Sequence, residues 1–147
     1  RAFLTSQLGA GVDLPDGGTA FISVRDSDKQ AMLEPAQRLA RLGFRILATD
    51  GTRTFLAQNG VPAERVNKVF EGRPHIVDRM KNREIVLVFN TTEGAQSIKD
   101  SAGIRASALG MKTPYYTTAA GAAAAARAIE NRREGEIEVA PLQYYSR

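Results

Sequence analysis

Short apolar runs alternate with segments of helical spacing about five times along this chain, and this alternation limits the fold more than any other feature. Residues 85–89 are continuously apolar, as expected of a strand buried on both faces. In residues 28–42, by contrast, apolar residues recur close to helical spacing. Alternating strands and helices favour an α/β fold, so we predict a three-layer sandwich with a mostly parallel, five-stranded sheet and helices on both faces.

The predicted strands cover residues 19–24, 44–48, 65–69, 85–89 and 114–116, with a last edge strand over 137–142. The predicted helices cover residues 28–42, 52–59, 75–82, 98–111 and 119–133. Pro35 is expected to kink the first helix or delay its start, and Gly103 to split the fourth. Gly43 is a natural stop for the first helix.

The chain is predicted to hold one domain, because 147 residues lie within the usual range for a single compact unit. Residues 1–18 are rich in glycine and are predicted to be a linker from a preceding domain. Residues 19–142 would form the domain and residues 143–147 a tail. Since the chain begins with Arg1 and not methionine, we expect it to be a piece of a longer protein.

Composition excludes several kinds of site. The chain has no cysteine and one histidine, which excludes disulfides, thiolate metal sites and histidine-rich metal sites. The net charge of +4 comes from interspersed residues, and aromatics make up 7%, which disfavours nucleic-acid binding but suits small anionic ligands. No segment approaches the ~20 apolar residues of a membrane span, so a cytoplasmic protein without a membrane partner is expected.

Polar side chains follow the predicted strands where parallel sheets bind ligands, at their carboxyl ends. The segment Thr49-Asp-Gly-Thr52 leads from a strand into a helix, whose free N–H groups and dipole favour a phosphate. Lys29 and Lys68 can supply positive charge, and Asn90 can donate to and accept from a base or sugar. The sequence therefore predicts an anion-binding pocket at this edge of the sheet.

Simpler interpretations exist for these residues. A threonine before a helix is most often an N-cap, and capping is the favoured role of Thr52 taken alone. His75 and Asp78 can form an acid–base pair, although a capping or surface histidine is the favoured interpretation. The chain has no nucleophile elbow, Walker A motif or dinucleotide-binding glycine motif.

Four motifs resemble one known family. They are FISVRDSDK at 21–29, ATDGT at 48–52, VNKVFEGRPHIVD at 66–78 and FNTT at 89–92. They are similar to the C-terminal regulatory domains of carbamoyl phosphate synthetase large subunits, which have the methylglyoxal-synthase-like fold. The first two motifs are shared across that fold family, whereas the last two are more particular to the synthetases.

This resemblance implies regulation by a mononucleotide effector of the UMP or IMP type. By the family's pattern, the phosphate would lie among Lys29, Thr49, Thr52 and Lys68. The ribose and base would lie beside Ser23, Asn90, Thr92, Asp100, Ile104 and Arg105. The resemblance implies no catalytic residue, metal or cofactor in this chain.

For the parent protein, the resemblance implies a ligase that makes carbamoyl phosphate from glutamine, bicarbonate and ATP for arginine and pyrimidine biosynthesis. ATP with Mg or Mn would act in the rest of the large subunit, and a glutaminase small subunit would be the partner. Ornithine-activated relatives can carry an aspartate where this chain has Tyr116, which implies insensitivity to ornithine. Two alternatives stay open: a stand-alone lyase acting on a triose phosphate, and a structural oligomerisation domain.

Overall fold

The computed structural model describes residues 14–15, 17–66, 75–91 and 95–142, with the backbone alone for 95–101 and 133–142. The strands are β1 (Thr19–Ser23), β2 (Arg45–Ala48), β3 (Glu64–Arg65), β4 (Leu87–Asn90) and β5 (Tyr115–Tyr116). The helices are α1 (Lys29–Arg41), α2 (Asp50–Gln58), α3 (Ile76–Lys81), α4 (Ala95–Met111) and α5 (Ala119–Leu142). A 3-10 turn, Asp26–Asp28, precedes α1.

The five strands form one sheet in the order β3-β2-β1-β4-β5, and every pairing is parallel. The chain runs outward from β1 to β3 on one side and then returns to β4 on the other. The order of the strands therefore reverses beside β1, and ligands bind at such reversals in open parallel sheets. The register places Ser23 next to Asn90, and Ile22 next to Ala48, the residue before Thr49.

Two apolar cores cover the two faces of the sheet. On one face α1, α2 and α5 pack through side chains such as Met32, Leu56 and Ile129. On the other face α3 and α4 pack through Met80 and Ile104. The predicted three-layer α/β sandwich is confirmed, with a sheet that is wholly parallel within the described residues.

Helix α5 packs closely on α1 because its buried face is built from small side chains, including Ala122, Ala125 and Ala126. The helix continues to Leu142, so the predicted edge strand over 137–142 is wrong. A formed helix gains one hydrogen bond for each added residue, whereas a new strand needs a turn and a partner strand. Within the described residues, no helix has both the length and the hydropathy needed to cross a lipid bilayer.

Neither a delayed start of α1 nor a split of α4 occurs. Helix α1 runs from Lys29 through Pro35 without a delayed start. The proline is buried, while Ala31, whose carbonyl loses its helical donor, is exposed and can be hydrated. Helix α4 likewise continues through Gly103, where a Cβ atom would lie 3.6 Å from Val77 Cγ2. The glycine thus lies at the contact between α4 and α3.

Candidate functional site

The carboxyl ends of β1 and β2 are joined by a hydrogen bond between two hydroxyls. Ser23 Oγ and Thr49 Oγ1 are 2.9 Å apart, and either can donate. The parallel register makes this contact possible, because Ser23 ends β1 and Thr49 follows the last residue of β2. The structure therefore brings together two of the predicted site residues from positions 26 residues apart.

Thr49 is also the N-cap residue of α2 by position, but it does not cap the helix with its side chain. Its hydroxyl is directed to Ser23. Its main-chain carbonyl accepts a hydrogen bond from the N–H of Arg53 at 2.8 Å. The N–H groups of Asp50, Gly51 and Thr52 precede that bond and have no partner within the helix. The start of α2 thus presents N–H donors and the positive end of the helix dipole to an anion.

Thr52 lies in the first turn of α2 and is not its N-cap, so the capping interpretation of this residue is wrong. Its side-chain oxygen accepts a hydrogen bond from the main-chain N–H of Val24 at 3.1 Å. The residue is 2% exposed and joins α2 to the end of β1. Because the bond uses a lone pair, the hydroxyl hydrogen is available to donate to a ligand.

Lys29 places a positive charge beside the start of α2. Its Nζ atom lies 3.5 Å from the position that a Cβ atom on Gly51 would occupy. The ammonium also donates to Asp26 Oδ1 at 2.8 Å, and this hydrogen bond lowers the pKa of the Asp26 carboxyl. The cation is thus held at the helix start by a carboxylate that is itself highly exposed.

Asn90 ends the inner strand β4 and is almost fully buried. Its side-chain Nδ2 donates to the hydroxyl of Tyr115 at 2.9 Å. The guanidinium of Arg105 lies over the Tyr115 ring, 5.6 Å from the ring centre. Asn90, Tyr115 and Arg105 therefore form a connected group of contacts. Ile104, also predicted to line the site, is buried in the core between the sheet and α4.

Thr91, which lies within the motif FNTT at 89–92, also joins strands at this edge. Its N–H donates to Ser23 O at 3.0 Å, and its hydroxyl accepts from the N–H of Arg25 at 2.9 Å. These two bonds hold the ends of β1 and β4 together at the point where the strand order reverses.

Three predicted site residues are not placed by the structure. Lys68 and Thr92 lie outside the described residues. Asp100 lies in α4, where the backbone alone is described. Their predicted roles therefore stay predictions.

His75 and Asp78 form the start of α3. The His75 N–H donates to Asp78 Oδ2 at 3.0 Å, and His75 Nδ1 lies 3.6 Å from the same oxygen. This is the geometry of a helix start, with Asp78 accepting from the N-cap residue. Among the described residues, no group of three histidines or carboxylates is placed to hold a metal ion.

The fold is thus a parallel α/β sandwich with a hydroxyl-rich carboxyl edge and an open helix start. A family model described as "MGS-like domain" matches residues 31–117, more than half of the chain, and the chain belongs to this family. A crystal structure of methylglyoxal synthase from Elizabethkingia anophelis has the same fold. It superposes with a TM-score of 0.59 at 21% identity, covering 74% of this chain and 76% of that one.

More specific relatives are large chains of carbamoyl phosphate synthase. The protein from Mesorhizobium japonicum is 58% identical over 98% of this chain, which corresponds to 12% of its own length. Those from Brucella suis and Myxococcus xanthus are 54% and 51% identical over 99% and 98% of this chain, and it spans 13% of each. The predicted resemblance is confirmed, and the chain spans about an eighth of these relatives.

Proposed function

We propose that this chain is the regulatory domain of a carbamoyl phosphate synthase large subunit and that it binds a mononucleotide effector of the UMP or IMP type. The open start of α2 carries the proposal. There the N-cap hydroxyl is directed to Ser23, the N–H groups are left to a ligand, and Lys29 lies beside Gly51. A phosphate matches this combination of donors and positive charge.

The proposed phosphate site consists of Lys29, Thr49, Thr52 and Lys68. A phosphate dianion needs cations to neutralise it, because neither threonine carries charge. We propose that the ribose and base extend from the phosphate toward α4. The residues proposed to line this side are Ser23, Asn90, Thr92, Asp100, Ile104 and Arg105. The hydrogen bond from Asn90 to the Tyr115 hydroxyl supports this direction, since it connects the end of β4 to the ring on which Arg105 lies.

Regulation would follow from differential affinity. An effector that binds the less active state of the whole enzyme more tightly shifts the enzyme toward that state. The reaction itself, carbamoyl phosphate formation from glutamine, bicarbonate and ATP with Mg or Mn, would take place in the rest of the large subunit with a glutaminase small subunit. We place that enzyme in the cytoplasm, in arginine and pyrimidine biosynthesis, with residues 1–18 linking this domain to the preceding one.

Calorimetric titration of the 147-residue chain with UMP and IMP tests the effector site. A charge-assisted hydrogen bond contributes about 1.5–3 kcal/mol. Lys68→Ala and Lys29→Ala should therefore each weaken the binding of UMP and IMP about 10- to 150-fold. Lys81→Ala, a lysine at the far end of α3, is the matched control and should leave affinity unchanged.

Two results would contradict the proposal. Absence of saturable UMP and IMP binding would exclude a mononucleotide effector. Formation of methylglyoxal from dihydroxyacetone phosphate by the chain would instead support the alternative lyase, which the shared fold keeps open.

A further inference from the structure

Helices α1 to α4 all end at the amino edge of the sheet, and each is followed by a residue with positive φ. After α1 and α2 this residue is a glycine, Gly43 at +95° and Gly60 at +82°. After α3 and α4 it is a cation, Arg83 at +61° and Lys112 at +58°. Glycine adopts this conformation without steric cost, whereas a residue with a Cβ atom does not. The two cations therefore occupy positions where the same chain elsewhere uses glycine.

Capping of the helix ends does not require these two side chains. The N–H of Arg83 donates to Met80 O at 2.9 Å, and the N–H of Lys112 donates to Leu109 O at 3.2 Å. The main chain thus bonds carbonyls in the last turn of each helix. In the described part of the chain, neither the guanidinium nor the ammonium forms an ion pair with a carboxylate. Both groups are exposed and available to an external anion.

Both cations line one cavity of about 280 Å³ at the amino ends of β4 and β5. Thr113 contributes a hydroxyl to the cavity, and its remaining wall is mostly apolar, with Val86 and Met111 among its members. The cavity is slightly smaller than the usual range for ligand sites, roughly 300–1,000 Å³. It therefore suits a ligand smaller than a nucleotide.

We propose that this cavity is a second ligand site, which binds a small aliphatic carboxylate. The carboxylate would accept hydrogen bonds from Arg83 and Lys112, since a guanidinium matches carboxylate geometry and an ammonium adds charge. The aliphatic part would pack against Val86 and Met111 and leave water. The site lies at the opposite edge of the sheet from the open start of α2, so the two sites take their ligands independently.

The test is a titration of the isotope-labelled 147-residue chain, followed by NMR of the methyl groups of Met111 and Thr113. The probes are hexanoate, acetate and inorganic phosphate. Hexanoate should shift both methyl signals saturably and bind about tenfold more tightly than acetate, because its longer chain buries more apolar surface. Saturating UMP should leave the hexanoate affinity unchanged.

Substitutions separate a specific site from general attraction to a basic surface. Arg83→Gln and Lys112→Gln should each weaken hexanoate binding about three- to tenfold, as expected for exposed charge-assisted contacts. Lys81→Gln removes a nearby exposed charge that does not line the cavity and should change nothing. Arg83→Gly, which relieves the positive φ, removes the cation while favouring the same backbone, so loss of binding there cannot reflect misfolding.

Three outcomes would overturn the proposal. The first is the absence of saturable shifts with hexanoate. The second is equal affinity for hexanoate, acetate and phosphate, which would show charge attraction without an apolar contact. The third is a loss of affinity in Lys81→Gln as large as in Arg83→Gln.

Discussion

The two edges of the sheet handle positive charge in different ways. At the carboxyl edge, Lys29 lies 2.8 Å from Asp26 and Arg25 lies 2.7 Å from Asp28. At the amino edge, the two cations that line the cavity have no carboxylate partner in the described part of the chain. A ligand at the carboxyl edge must therefore compete with carboxylates already in place, whereas a ligand at the amino edge would meet two cations that pair with no carboxylate among the described residues.

The hydroxyl groups at the two edges also differ in whether they have partners within the described residues. At the carboxyl edge, Ser23, Thr49 and Thr52 form hydrogen bonds between separate strands and a helix, which fixes their positions before any ligand arrives. At the amino edge, the Thr113 hydroxyl makes no hydrogen bond with the described residues. The carboxyl edge thus has hydroxyls that are fixed by contacts between elements, whereas the Thr113 hydroxyl at the amino edge is not fixed by any described residue.

The largest expected effect concerns the fixed hydroxyls. Thr49→Val removes the hydrogen bond to Ser23 and leaves a polar atom in a mostly buried place without that partner. The free energy of unfolding should fall by about 1–2 kcal/mol. Thr113→Val is the matched control at the amino edge and should change it by less than about 0.5 kcal/mol. Urea unfolding of the three proteins measures the difference, and equal losses at the two edges would contradict the comparison.

Smaller changes in the free energy of unfolding are expected at the ends of the helices, and the two substitutions there should have opposite signs. Gly43→Ala forces a Cβ atom into positive φ and should lower the free energy of unfolding by about 1 kcal/mol. Arg83→Gly relieves the same strain but loses a cation near a helix end, so a gain of about 0.5 kcal/mol should remain. Thermal unfolding compares the two. If Arg83→Gly destabilised the protein as much as Gly43→Ala, the arginine side chain would stabilise the fold through contacts other than its charge near the helix end.

The smallest effect concerns the carboxylate that competes for Lys29. Asp26→Asn should strengthen UMP binding about twofold, because the ammonium is no longer shared and a negative charge is removed. Asp28→Asn, whose carboxylate pairs with Arg25 instead, is the control and should have less effect. Calorimetry measures both, and weaker UMP binding in Asp26→Asn would show that Asp26 holds Lys29 in its binding position.

The same ion pair has a defined pH dependence. The hydrogen bond from Lys29 lowers the pKa of Asp26 below its ordinary value of 3.8. The contribution of the pair to stability is therefore present above that value and is lost as the pH falls through the lowered pKa of the folded state. Asp26→Asn should reduce this acid-side dependence slightly, since the carboxylate is exposed.

Much of the fold could be predicted because apolar patterning is a local property. The apolar run at 85–89 contains most of the buried inner strand β4, and the helical spacing at 28–42 is that of α1. The errors arose where a local signal competed with packing. Pro35 continues a helix because its ring is buried, and Gly103 continues another at the contact with α3. The polar strand ends were predicted, but the hydrogen bonds of Thr52 and Thr91 were not.

By itself, the sequence determined the alternation of strands and helices, the parallel sheet and the edge where hydroxyls collect. Only the tertiary structure decided what each hydroxyl does. Thr52 accepts from Val24, 28 residues away, and Thr91 accepts from Arg25, 66 residues away. Such bonds form only after β1, β2 and β4 lie side by side, because the partners are distant along the chain. Local sequence patterns do not predict these bonds, whereas the periodicity of apolar residues within each segment predicts which face is buried.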